Sequence, residues 1–165
     1  MKIYSETVNG SIKWYQDGLL HKEDGPAVIT PDGYEAWYRK GKRHREDGPA
    51  VIQPDGTEKW CKFGKYHRQD GPAVVQANGY REWYINGRHH RRDGPAIMSI
   101  NSIDEYWYWH GQLHRENGPA VTTASGNIQW YLNDRRVFNS TEYRLQTRLT
   151  EEAMILMVLK YGEVK

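Results

Sequence analysis

Histidine recurs at His21, His44, His67, His90 and His114, each followed at once by Lys or Arg. In the first four cases an aspartate stands three residues further on, at Asp24, Asp47, Asp70 and Asp93, with Asn117 in the fifth. Imidazole beside carboxylate is the material of general acid–base catalysis and, with further ligands, of metal binding. His89 next to His90, the pair His110 and His114, and the lone thiol of Cys61 add to the supply. A plainer explanation fits these residues better. A group that returns every 23 residues serves something that returns every 23 residues, which is the fold of a loop. Catalysis needs one unique cluster of converging groups, and a row of equal loops offers none. Neighbours on a strand point to opposite sides, so His89 and His90 diverge, and no Cys or carboxylate spacing completes a metal site. Cys61 stands where the other repeats carry Tyr, a place for a small buried hydrophobe rather than a nucleophile. The sequence therefore predicts no catalytic residue, no metal and no cofactor. The aspartates are expected to bond local backbone N–H groups, the His ring or the neighbouring Arg, fixing each loop.

Stepping outward, Trp keeps the same clock at Trp14, Trp37, Trp60, Trp83, Trp107 and Trp130, with spacings of 23, 23, 23, 24 and 23. Gly-Pro-Ala triplets recur with their Pro at Pro26, Pro49, Pro72, Pro95 and Pro119. Asn9-Gly10, Asp32-Gly33, Asp55-Gly56 and Asn78-Gly79 read as two-residue hairpin turns, with Ser125-Gly126 a weaker version. Counting outward from those turns places Val28 opposite Trp37, Val51 opposite Trp60, Val74 opposite Trp83 and Val121 opposite Trp130. A three-residue loop at Asn101-Ser102-Ile103 keeps Ile97 opposite Trp107. The predicted fold is an all-β repeat: a single-layer, curled antiparallel β-meander of about eleven or twelve short strands. It covers residues 1–138, and 139–165 form a short C-terminal helical cap. There Asn139-Ser140-Thr141-Glu142 matches a capping box and Thr150-Glu151-Glu152 opens a second helix. Leu145, Leu149, Ala153 and Leu156 form a helical stripe, although the unbroken apolar run from Ala153 to Leu159 also fits a strand.

The chain has 165 residues, seven Trp, twelve Tyr and a net charge of +2. Its mean hydropathy is −0.91, polar for a globular chain. The aromatic content argues against disorder. A single Cys excludes an intrachain disulfide framework and fits a reducing compartment. The first residues carry no apolar stretch of signal-peptide type, and no long apolar run spans a membrane, so a cytoplasmic location is expected.

The 23-residue period, the aromatic strand, the G-x-x-H step and the closing D-G turn resemble MORN-type hairpin repeats. The W-Y…H-R-x-D-G-P-A form is a variant of that pattern, seen in proteins of large bacteriophages, giant viruses and some bacteria. Where the usual unit has Gly after the His, this chain has Arg45, Arg68, Arg91 and Arg115. The resemblance covers about residues 8–136. It implies a curled sheet used as a binding or dimerisation scaffold, without catalytic residues. It also implies an accessory protein that modulates or inhibits a host factor, in the host cytoplasm if phage-encoded.

Function is expected where repeats differ. Residues 57–92 hold eight basic and three acidic side chains, between flanks of net −1 and −2. Lys62, Lys65, Tyr66, Arg88, His89, Arg92 and Trp109 depart from the pattern there and just beyond it. Basic residues interleaved with aromatics suit an acidic protein or a nucleic acid; a merely solvated basic face is the alternative. Trp109 is an extra aromatic after the Trp107-Tyr108 pair, either an interface anchor or packing beneath the Asn101 loop. The sequence thus points to a non-enzymatic scaffold for a protein partner, with nucleic acid or another polyanion as second reading and a homo-oligomer compatible with either.

Overall fold

A computed structural model describes residues 2–138, 140–147 and 149–162. The chain folds as antiparallel hairpins in a meander, followed by two short helices, with no closed barrel among the described residues. It divides into two compact units, Met1–Arg88 and His89–Lys165.

In the first unit the main sheet takes its strands in chain order, leaving out the short strands that pair off it. Ile3–Val8 pairs with Ser11–Gln16 around Asn9-Gly10, a two-residue turn with both residues at positive φ, 50° and 75°. The ladder continues through Val28–Ile29, Glu35–Ala36, Val51–Ile52, Glu58–Lys59, Val74–Val75 and Tyr80–Glu82. In the second unit Ile97–Ser99, Ser102–Tyr106, Val121–Thr122, Ile128–Leu132 and Arg135–Val137 pair in the same way.

The register differs by one residue from the expected one. Val28 lies opposite Ala36, Val51 opposite Lys59, Val74 opposite Glu82 and Val121 opposite Gln129. The cause is the turn. Gly33 N–H donates to Thr30 O and Thr30 N–H to Tyr34 O, both at 3.0 Å, so three residues rather than two lie in the loop. Pro31 has no N–H to give to Tyr34 O, as a two-residue turn at Asp32-Gly33 would require, and its fixed φ suits the first central position of a type I turn. Gly33, at φ 91°, then supplies the left-handed step that closes the loop. The turns at Gly56, Gly79 and Gly126 repeat this bonding. In the Asn101 region Ile97 faces Tyr106 rather than Trp107, with a register shift between Met98 and Ser99.

The second difference is a break at Trp37, Trp60, Trp83 and Trp107, whereas Trp14 and Trp130 lie inside unbroken strands. The strand Glu35–Ala36 ends before Trp37, and Tyr38–Arg39 begins a separate two-strand arm with Lys42–Arg43. Cys61–Lys62 with Lys65–Tyr66, and Tyr108–Trp109 with Gln112–Leu113, form equivalent arms. The count of strands among the described residues is therefore twenty-two, not eleven or twelve. Trp37 N–H reaches Ala50 O in the next repeat while Trp37 O accepts from His44 N–H, and Trp60 and Trp107 do the same with Ala73 and His67, and with Ala120 and His114. The alanines of the Gly-Pro-Ala triplets are fully buried beneath this junction.

Helices α1 (Ser140–Thr147) and α2 (Glu151–Tyr161) close the last repeat. Thr150 caps α2 through its hydroxyl to Ala153 N–H, as expected, and 153–159 are helix rather than strand. Asn139 of the expected capping box lies outside the described residues, as do the side chains of Ser140 and Thr141. The buried helical side chains are Tyr143, Met154 and Met157, which pack on Trp130, Leu132 and Val137. The Leu145 and Leu156 members of the expected stripe are instead exposed, at 75% and 68%.

Candidate functional site

The periodic histidines act within the fold. Each Nδ1 accepts a hydrogen bond from a backbone N–H one repeat ahead: His21 from Lys40 (3.0 Å), His44 from Phe63 (3.3 Å), His67 from Asn86 (3.1 Å), His90 from His110 (3.1 Å) and His114 from Asn133 (3.2 Å). An accepting Nδ1 carries no proton, so the neutral ring keeps its proton on Nε2. In the first loop that Nε2 meets Glu23 at 2.8 Å. The donors are the first residues of the arm turns, held at positive φ near 50°. The His column therefore fixes each arm to the loop before it.

The basic residue after His21, His44, His67 and His114 lies over the Trp of the same repeat. Lys22 Nζ is 3.8 Å from the Trp14 ring centre, and the guanidinium carbons of Arg45, Arg68 and Arg115 are 4.2, 3.9 and 3.7 Å from Trp37, Trp60 and Trp107. Arg45 and Arg68 also bond Asp47 and Asp70 at 3.1 Å and reach the carbonyls of Pro49 and Pro72. The arginines hold both carboxyls below the usual carboxylate range. A Cβ on Gly48 would stand 2.7 Å from the Arg45 guanidinium, which is why the loop carries Gly there. Of the alternatives for the aspartates, the bond to Arg is the one found at Asp47 and Asp70. Cys61 is buried, and burial pushes its thiol pKa up, away from a nucleophile.

The residues that break the repeat fall in both units. In the first, Lys62 and Lys65 face each other across an arm, both exposed and held by no ion pair among the described residues. Tyr66 is half-buried with its ring 5.2 Å from Tyr84, and Arg88 is exposed. In the second, His89 stacks on Tyr108 at 5.1 Å, Arg92 is exposed, and Trp109 is half-buried with its ring 4.4 Å from His90 and 5.0 Å from His110.

Successive loops leave grooves between them, and two can be compared. In the first unit the groove of about 510 Å³ carries Glu23, Asp24, Glu46 and Asp47 against Lys22, Arg39 and Arg45. Its counterpart in the second unit, about 610 Å³, carries Arg91, Arg92 and Arg115 against Glu116 alone. The periodic Glu has become Arg92, the Asp has become Asn117, and Trp109 stands where the other has Arg39. The same framework thus turns from net −1 to net +2 and gains an indole. Thr147 and Leu149, from the end of α1 and the segment after it, add a wall. Of the expected binding residues, this groove brings Arg92 and Trp109 together. Sequence reading missed Asn117, Thr147 and Leu149; the Asp-to-Asn change at Asn117 was visible, whereas the wall depends on how the helices fold back.

No protein-family model and no curated protein matches the chain.

Proposed function

We propose that the chain is a non-enzymatic repeat scaffold that binds a protein partner through residues departing from its 23-residue pattern. The observation that carries this reading is the groove in which Arg92 and Trp109, both departures from the pattern, come together. It is net positive with two indoles where its counterpart in the first unit is net negative with one. Arg and Trp are the residues enriched at interface hot spots. The periodic His and the Arg45 and Arg68 clamps meanwhile have internal partners, so they support the scaffold rather than a reaction. By the MORN resemblance, the partner is a host factor and the chain a viral accessory protein acting in the cytoplasm.

A second reading is favoured by the exposed Lys62, Lys65 and Arg88: nucleic acid or another polyanion held by residues 57–92. Salt separates the two. Capture of a polyanion collapses as salt rises, through counterion release, while an aromatic-anchored interface largely survives. The test is capture from a host lysate by the wild-type chain, Trp109→Ala and Arg92→Glu, with melting curves in parallel. The protein-binding reading expects salt-resistant capture, a loss of about 2 kcal/mol in affinity for Trp109→Ala and slower association for Arg92→Glu. Normal capture by both folded variants places the site elsewhere.

A further inference from the structure

The most apolar exposed surface of the second unit lies on its helices, away from the groove just described. Leu145, Ile155, Leu156 and Leu159 are 75%, 55%, 68% and 78% exposed. On α2 the exposed positions Glu152, Ile155, Leu156 and Leu159 are spaced three, one and three, which puts them on one stripe of the helix. Met154 and Met157, on the opposite side, are buried against Trp130 and Tyr143. Helix α2 thus has two apolar faces, one used and one open. Beside the open face runs a groove of about 450 Å³ between the helices, floored by Met154 and Val158 and edged by Leu145 and Ile155, with Arg144 and Glu151 at its rim. Isolated apolar side chains at a surface are ordinary, but a contiguous helical stripe next to a groove is not.

The charge order along α2 selects the occupant. Its first turn is acidic, with Glu151 and Glu152, and its last turn carries Lys160. An antiparallel copy of the same helix sets the acidic start of each against the lysine of the other. A parallel copy sets like against like at both ends. The apolar centre, Ile155 and Leu156, lies at the midpoint of the stripe, so two copies related by a two-fold axis put the same residues in register. Leu156 or Leu159 of one copy is then the knob that enters the groove of the other.

We infer that the chain forms a two-fold dimer through antiparallel pairing of α2 on a second copy of itself. The helix is about 16 Å long, shorter than the span of a standard interface of roughly 800 Å² per partner. The dimer should therefore dissociate on dilution in roughly the micromolar range. Sedimentation velocity on the full chain, from roughly 1 to 100 µM, tests this, with melting curves to confirm that each variant is folded. Expected are a concentration-dependent dimer for the wild type and a dissociation constant raised on the order of a hundredfold or more by Leu156→Glu, which acts twice in a two-fold contact. Lys160→Glu alone and the double change Glu151→Lys with Glu152→Lys should each weaken self-association, and an equimolar mixture of those two variants should dimerise. A wild type that stays monomeric overturns the proposal, as does a dimer indifferent to Leu156→Glu. Indifference to Lys160→Glu overturns the antiparallel pairing. A monomer that instead sediments with phosphatidylserine-containing vesicles, and loses this with Leu156→Glu, assigns the stripe to a lipid surface and also overturns it.

Discussion

A neutral imidazole with a bare Nδ1 is what each repeat requires of its histidine. His44 is 6% exposed, and its Nδ1 is the acceptor for Phe63 N–H at the head of an arm. Replacing it by Ala leaves that N–H unpaired and opens a cavity. His44→Ala should cost about 2–3 kcal/mol, read as a lower urea midpoint at unchanged slope. Protonation attacks the same bond. Burial, then the nearby His110 and Arg92, hold the His90 pKa below its ordinary 6.5. The folded chain thus binds this proton less readily than the unfolded chain. The stability His90 contributes is fully present above the unfolded value and is lost as pH falls through the lower folded one. Melting temperature should therefore drop between about pH 7 and about pH 5. His90→Asn, whose amide oxygen accepts from His110 N–H without titrating, should flatten part of that drop; an unchanged profile would remove His90 as a cause. That these histidines belong to the repeating loops was legible in their period alone. Their partner was not, because a bond reaching nineteen or twenty residues ahead depends on how one arm lies beside the next.

The elements are short because two kinds of turn alternate. One is the three-residue turn at Gly33, Gly56, Gly79 and Gly126; the other is the arm turn, where a non-glycine residue and a Gly both take positive φ. Lys40, at φ 50° followed by Gly41 at 76°, is an exposed example. Asn tolerates that conformation better than Lys, and the bond to His21 uses only the backbone N–H of residue 40. Lys40→Asn should accordingly raise stability by several tenths to about 1 kcal/mol, seen as a higher melting temperature; a lower one would mean the Lys40 side chain contributes more than its backbone costs. The repeat, the antiparallel hairpins and the terminal helices were all readable from spacing. The one-residue shift in register had a signal of its own: Pro31 and Pro54, two residues before Gly33 and Gly56, lack the N–H that a two-residue turn needs from the residue flanking it. The break at Trp37, Trp60, Trp83 and Trp107 left no such mark. The Trp backbone bonds to the next Gly-Pro-Ala and to its own His accompany the break without causing it, because Trp14 makes both inside an unbroken strand.

Taken whole, a repeat chain is stable through contacts between neighbours, so its last repeat needs a substitute for the neighbour it lacks. In the second unit the helices are that substitute. Trp130, in the last Trp position, is 2% exposed, with the Tyr143 ring 4.9 Å away and edge-on. Which helical face does this was hidden in the sequence, because the unbroken apolar run from Ala153 to Leu159 marks no face; the open stripe on α2 is the other half of that ambiguity. Beside the Arg135–Glu142 ion pair at 2.8 Å and the Arg115 bond to the Tyr161 hydroxyl at 3.4 Å, the buried link to the repeats is the Tyr143 hydroxyl. It donates to the Arg115 carbonyl at 2.5 Å and accepts from Gly118 N–H at 3.2 Å, inside the loop that precedes the last buried alanine. Burial pushes the phenol up to about 12, so it remains a donor throughout the physiological range. Tyr143→Phe keeps the ring against Trp130 and removes only these bonds. Because the Gly118 amide is buried and would be left without an acceptor, the change should cost about 1–3 kcal/mol. Native-state hydrogen exchange locates the effect: the Gly118 amide is protected in the wild type and should exchange markedly faster in Tyr143→Phe, while the first unit's amides, such as Trp37, keep their rates. If Tyr143→Phe matches the wild type in both stability and Gly118 protection, the hydroxyl has no part in closing the repeat.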